Sequence, residues 1–159
     1  MRIVVADPDV SFLTTAQPYF ADRGHEAEIA TTGLDCLTLL QEFRPAVLLI
    51  SSDLLWGGPD GVLDVMQNDP VLGHIHVLLL AGQGISPVLK QHLMVRAIVT
   101  KPIRLEDLIR QISRLRSGRH VGPIHQIRLQ LLIAYPQEIP LVEPVCRAVS
   151  QQEFPWSQN

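Results

Sequence analysis

Residues 46–53 read Ala-Val-Leu-Leu-Ile-Ser-Ser-Asp, an apolar run that ends in polar residues. A short run with no polar alternation predicts a strand that is buried on both faces, here Ala46–Ser51. Both faces of a sheet are covered when helices pack on each side, as in parallel α/β folds. The stretch therefore predicts a parallel sheet, with the carboxylate of Asp53 at the end of this strand.

The same alternation continues on either side of this strand, through residues 1–116. Four further strands are predicted from short apolar or branched runs: Ile3–Ala6, Glu26–Ala30, Val77–Leu80 and Ala97–Thr100. Five helices are predicted from apolar residues at helical spacing: Val10–Asp22, Leu34–Phe43, Asp60–Gln67, Pro87 to about Met94, and Leu105–Leu115. Five strands that alternate with five helices indicate a five-stranded, doubly wound parallel α/β sheet.

Composition limits the function classes that need to be considered. The chain has 159 residues, of which 47% are hydrophobic and 18% charged, which is typical of one globular domain with an appendage. A net charge of −3 argues against a broad nucleic-acid surface. No apolar run is long enough to span a bilayer, and Asp7 comes too early for a signal peptide, so a cytoplasmic protein is expected.

The two cysteines, Cys36 and Cys146, suit reduced thiols and not a disulfide scaffold. Cys36 lies on a predicted helix among leucines, where it most simply packs in the core. Residues 117–123 read as a linker, and residues 124–159 form a C-terminal extension of unknown role.

The residues that can carry chemistry follow the predicted strands. Asp7 and Asp9 follow the first strand, Asp53 the third and Lys101 the fifth. Ligand sites of open parallel sheets lie at the carboxyl ends of the strands, so these side chains are expected to converge. Clustered carboxylates require a cation, and oxygen ligands with open water positions favour Mg²⁺. The Lys101 ammonium could hold a phosphoryl oxygen.

Three sequence features together resemble the receiver domain of two-component response regulators, such as the bacterial chemotaxis regulator. They are the spacing from Asp7 to Gly24, the segment 47–53 followed by Asp60-Gly61, and Lys101-Pro102. The resemblance covers about residues 1–116 and implies a flavodoxin-like (βα)5 receiver fold.

The resemblance also implies a role for individual residues. Asp53 resembles the phosphoacceptor, which receives a phosphoryl group from a histidine kinase, a phosphotransfer protein or a small phosphodonor. Asp7 resembles the first acid of the Mg²⁺ pocket, and the backbone carbonyl of Leu55 should be a further metal ligand. Lys101 resembles the lysine that contacts the phosphoryl group. The bond from Lys101 to Pro102 resembles the family's cis peptide.

Three positions depart from the family pattern: Pro8, Ala81 and Ile98. Pro8 stands where the family has a second adjacent acid, and Asp9 either compensates in part or only caps the first helix. Ala81 replaces the Ser or Thr whose hydroxyl moves to the phosphoryl group, and Ile98 replaces the rotating aromatic residue. The metal pocket is therefore expected to be weakened, and the hydroxyl–aromatic switch to be absent.

Two functions follow from the resemblance. The first is a two-component response regulator receiver that accepts a phosphoryl group on Asp53 with Mg²⁺ and signals to an unknown downstream protein. The alternative is a pseudo-receiver, a protein-interaction module that is not switched by phosphorylation. Enzyme activity is not expected beyond self-phosphotransfer and autodephosphorylation at Asp53. A small metal-dependent phosphohydrolase similar to the haloacid-dehalogenase-like enzymes would need an Asp as general acid–base two positions after the nucleophile. This chain has Leu55 at that position, which counts against that class.

Three further expectations concern surfaces. The extension is too short and too neutral for the usual DNA-binding output domain, so DNA binding by this chain is not expected. Arginines on the last helix, including Arg104 and Arg110, accompany a homodimer surface on the fourth and fifth helices in this family. Trp56, in the loop after Asp53, either covers the site or packs on its own loop.

Overall fold

The structure, a computed structural model, describes residues 1–82 and 84–116. The strands are β1 (Arg2–Ala6), β2 (Glu26–Ala30), β3 (Val47–Ser51), β4 (His76–Ala81) and β5 (Val95–Thr100). The helices are α1 (Val10–Ala21), α2 (Gly33–Phe43), α3 (Gly58–Asn68), α4 (Pro87–Lys90) and α5 (Leu105–Arg116). The predicted linker and C-terminal extension lie outside the described residues.

The five strands form one parallel sheet in the order β2-β1-β3-β4-β5. The predicted fold class is therefore confirmed. β3 lies at the centre and is buried throughout, which explains its uninterrupted apolar sequence. Two apolar layers cover the sheet: α2 and α3 pack on one face and α1 and α5 on the other.

Polar side chains fix where three of the helices begin. Asp9 caps α1, because its carboxylate accepts hydrogen bonds from the backbone N–H groups of Ser11 and Phe12. Thr32 caps α2 in the same way. Ser86 caps α4, and Pro87 occupies its first turn. The interpretation of Asp9 as a helix cap is thus confirmed.

The prediction that the fourth helix continues to about Met94 is wrong, because α4 ends at Lys90. The Gln91 N–H already bonds to the carbonyls of both Pro87 and Val88, which tightens the last turn. The His92 Nδ1 then accepts the Met94 N–H at 3.3 Å, a local bond that competes with helix continuation. A chain that turns here can enter β5 at Val95.

A membrane span requires a helix of sufficient length and hydropathy. Among residues 1–82 and 84–116, no helix combines the length and the apolar character needed to cross a membrane.

Candidate functional site

The carboxyl edge of the sheet brings together three polar residues. Asp7 directly follows β1, Ser51 is the last residue of β3, and Lys101 directly follows β5. Asp7 and Ser51 are fully buried, and they are the only buried polar or charged residues of the described chain. We call these three residues the Lys101 cluster.

The Lys101 ammonium holds this cluster together. Its Nζ lies 2.7 Å from Asp7 Oδ2 and donates a hydrogen bond to Ser51 Oγ at 3.0 Å. The other Asp7 oxygen, Oδ1, accepts the Asp9 N–H at 3.0 Å. A buried carboxylate is stabilised by pairing and by hydrogen bonds. Asp7 Oδ1 has a hydrogen bond, whereas Oδ2 has the ion pair with Lys101 and no hydrogen-bond partner.

Asp53 lies outside this buried cluster. Its side chain is 54% exposed, and its Oδ2 is 3.9 Å from Lys101 Nζ. The Ser52 hydroxyl donates to Asp53 Oδ1 at 3.1 Å and accepts the Gly82 N–H at 2.9 Å. A Cβ on Gly82 would come within 2.6 Å of the Asp53 carboxylate. The carboxylate therefore rests against the Gly82 backbone at the end of β4.

The backbone carbonyl predicted as a metal ligand is engaged elsewhere. The Leu55 oxygen accepts the Gly33 N–H at 2.9 Å, at the start of α2. Thr32 and Leu55 also form an isolated parallel bridge. This carbonyl therefore already accepts one hydrogen bond from α2, which leaves one of its two lone pairs.

Of the predicted magnesium ligands, Asp7 and Asp9 line one cavity, and Asp7 and Asp53 both lie within 4 Å of the Lys101 ammonium. Asp7 is paired with Lys101, Asp9 caps α1, and Leu55 faces α2, as described above. In the described part of the chain, no three or more His, Cys, Asp and Glu side chains group so that they could hold a metal ion. Magnesium binding therefore stays a prediction, for which Asp7, Asp9 and Asp53 remain the candidate carboxylates.

A small cavity opens beside the cluster. Its volume is about 170 Å³, and its lining comprises Asp7, Asp9, Phe12, Lys101, Pro102 and Ile103. The peptide bond from Lys101 to Pro102 is cis, in agreement with the resemblance. The Lys101 N–H donates to the Ala81 carbonyl at 2.8 Å, which fixes the start of this segment against β4.

The two degenerate switch positions lie inside the sheet. Ala81 is buried at the end of β4, opposite Thr100 of β5. Ile98 is half-buried and packs against the apolar layer beneath α2 and α3. Neither side chain can donate a hydrogen bond.

Trp56 neither covers the site nor packs into the loop, since its side chain is 75% exposed. Its backbone has a positive φ of 52° and is followed by two positive-φ glycines, Gly57 and Gly58. The backbone oxygen of Trp56 lies where a Cβ on Gly33 would stand, at 2.6 Å. Only glycine at position 33 allows the loop to approach α2 this closely.

Ser51 is the residue of this site that sequence reasoning missed. The signal was present, because Asp7 and Lys101 follow the apolar part of their strands closely, whereas Asp53 is separated from Ile50 by two serines. The residue that directly follows Ile50, the last apolar residue of the run, is Ser51 and not Asp53. The pairing of Ser51 with Leu80 confirms that β3 ends here.

The fold is shared with solved receiver domains. A putative LuxO repressor receiver domain from Vibrio parahaemolyticus is 18% identical, with a TM-score of 0.62 over 83% of this chain and 95% of that chain. The chemotaxis response regulator CheY4 of Vibrio cholerae is 20% identical, with a TM-score of 0.64 over 71% of this chain and 96% of that chain.

The receiver domain of the Francisella response regulator 1452 is 18% identical, with a TM-score of 0.64 over 74% of this chain and 98% of that chain. No family model matches the sequence. The solved structures agree with the order of strands and helices found here, and the chain has the fold of response regulator receiver domains.

Proposed function

We propose that this chain acts in signal transduction as a pseudo-receiver, a receiver-fold module that binds a partner protein without being switched by phosphorylation. The observation that carries the proposal is Ser51 at the end of β3, in hydrogen-bond contact with Lys101. The resemblance gives the acceptor role to Asp53, which lies two residues beyond the end of β3 and 3.9 Å from Lys101. The residue that accepts the Lys101 hydrogen bond is Ser51, which is neutral and fully buried.

The electrostatics of the Lys101 cluster support the same function. In a phosphate-accepting site, carboxylates attract a divalent cation and a free ammonium stabilises the incoming phosphoryl group. Here Lys101 neutralises Asp7 at 2.7 Å, so neither charge is available without breaking the pair. Leaving either partner of a buried pair alone costs about 3–5 kcal/mol. The cluster is therefore stable without a metal ion or phosphate.

A second candidate function is phosphoryl transfer to Asp53 with Mg²⁺, from a histidine kinase or phosphotransfer protein. One observation favours it: the Asp53 carboxylate is half exposed and lies 3.9 Å from Lys101. A phosphodonor can reach such a carboxylate from solution. Magnesium would then have to draw Asp7 away from its present partner.

One experiment separates the two functions. The full chain is incubated with Mg²⁺ and acetyl phosphate, and its intact mass is compared with that of an Asp53→Asn variant. We expect no phosphoryl adduct that depends on Asp53. Beryllofluoride, which mimics a phosphoryl group, should likewise leave the amide NMR signals of residues 51–56 unchanged. An adduct present in the native chain and absent from Asp53→Asn would establish the second function instead.

The remaining expectations stay predictions. They are a cytoplasmic location, a homodimer through the fourth and fifth helices, and the absence of other enzyme activity. The dimer prediction has lost part of its basis, because α4 is a single turn.

A further inference from the structure

Three exposed apolar side chains lie together at the carboxyl edge of the sheet, outside the Lys101 cluster. Leu34 is 63% exposed, Leu55 60% and Trp56 75%. They belong to two backbone segments in direct contact, the start of α2 and the loop before α3. We call these three residues the Trp56 surface.

The backbone beneath this surface is fixed. The Gly33 N–H bonds to the Leu55 carbonyl at 2.9 Å, and Thr32 bridges Leu55. Trp56 is held in the left-handed region, which is unfavourable for a residue with a side chain. An exposed tryptophan on a fixed, strained loop is preorganised for contact, and tryptophan is among the residues that contribute most at protein interfaces.

The exposed charges on these two segments are carboxylates, and the Lys101 ammonium lies 3.9 Å from one of them, Asp53. Asp35, Asp53 and Asp60 are exposed on the same two segments or directly after them. No lysine or arginine occurs between Arg44 and Lys90 in the sequence. The basic residues of α5, by contrast, lie on a helix that packs on the other face of the sheet. Long-range attraction at the Trp56 surface therefore favours a cation.

We propose that the Trp56 surface binds a partner protein through a segment in which apolar side chains alternate with lysine or arginine. The apolar side chains of the segment cover Trp56, Leu55 and Leu34, and its cations face the surrounding aspartates. This inference rests on the proposed function, since it gives the phosphate-independent module its partner surface.

Tryptophan fluorescence tests the proposal in the full chain. Trp156→Phe leaves Trp56 as the only tryptophan. The probe is a synthetic peptide in which leucine alternates with lysine, and its twin has glutamate in place of lysine. We expect the lysine peptide to shift the Trp56 emission to the blue in a saturable way, and added salt to weaken the binding. The glutamate twin should cause no shift.

Two matched variants locate the binding. Leu34→Ser removes an apolar contact from the surface and should weaken the peptide affinity about tenfold. Val88→Ser is the control, because Val88 is 72% exposed but lies on α4, which contributes no residue to the Trp56 surface. It should leave the affinity unchanged.

Four results would overturn the inference. Two of them are no emission shift with the lysine peptide and an equal shift with its glutamate twin. A third is a concentration-dependent shift of the protein alone, which would mean that a second copy of the chain covers the surface. The fourth is the emission of a buried tryptophan in the free chain, which would mean that residues 117–159 cover it. Repeating the titration with Mg²⁺ and acetyl phosphate separates the two proposals. Binding that appears only with the phosphodonor overturns the phosphate-independent function and leaves the surface intact.

Discussion

At the scale of single residues, the electrostatics of the site depend on the contacts of the Lys101 ammonium. Lys101 sits between a buried carboxylate, Asp7, and a buried hydroxyl, Ser51. Asp7 and Lys101 neutralise each other, and the half-exposed Asp53 carboxylate, 3.9 Å from the same ammonium, leaves a negative charge beside them. A second carboxylate at the end of β3 would change that balance.

Ser51→Asp is therefore expected to make the site responsive to magnesium. The new carboxylate would share one ammonium with Asp7, and without a cation the variant should be about 1–3 kcal/mol less stable than the native chain. Millimolar Mg²⁺ should then raise its melting temperature, while that of the native chain stays unchanged. Thermal unfolding with and without Mg²⁺ measures both effects.

Ser51→Asn provides the control, because it has a similar size without the charge. Its melting temperature should not respond to Mg²⁺. Equal stabilisation of the native chain and of Ser51→Asp by Mg²⁺ would show that the native site already attracts a divalent cation.

The residue types at this edge could be predicted from the sequence, but their grouping could not. The polar residues that end each strand are visible, and Asp7 and Lys101 do meet. The choice between Ser51 and Asp53 depends on which residue completes the last pair of β3. The two serines between Ile50 and Asp53 are a signal for Ser51, but only the pairing of Ser51 with Leu80 decides it. The partner of the Leu55 carbonyl depends on loop geometry, which local sequence does not encode.

At the scale of helices and strands, the close contact between α2 and the loop before α3 depends on the absence of a side chain. A Cβ at position 33 would stand 2.6 Å from the Trp56 oxygen, a backbone atom that cannot move without its loop. This contact also positions the Trp56 surface. The length of α4, by contrast, is limited by local hydrogen bonds. Its apolar spacing predicts a longer helix than the bonds of Gln91 and His92 allow.

Gly33→Ala is expected to lower the free energy of unfolding by about 1–3 kcal/mol, since the added methyl group must displace the loop. Gly61→Ala is the matched control. Gly61 lies within α3, and a Cβ there would meet no atom within 4 Å. It should raise the free energy of unfolding by up to about 1 kcal/mol. Urea unfolding compares the two, and an equally stable Gly33→Ala chain would contradict the close contact.

At the scale of the whole molecule, stability comes from the two apolar layers on either side of the sheet. Cys36 of α2 belongs to one of these layers and is fully buried. Burial, and secondarily the charge of Asp35, raises the pKa of its thiol from 9.0 to about 12. The folded chain therefore keeps a proton that the unfolded chain releases at lower pH.

This difference predicts how stability changes in alkaline solution. Below about pH 9 both states hold the proton, and the free energy of unfolding does not depend on this group. Between the two pKa values the unfolded state holds fewer protons, so stability falls with rising pH by about 1.4 kcal/mol per unit from Cys36 alone. Urea unfolding across this range measures the slope. Cys36→Ala retains every other titrating group, Cys146 included, and should show a shallower slope. Equal slopes in the two chains would mean that the Cys36 thiol ionises as readily in the folded core as in the unfolded chain.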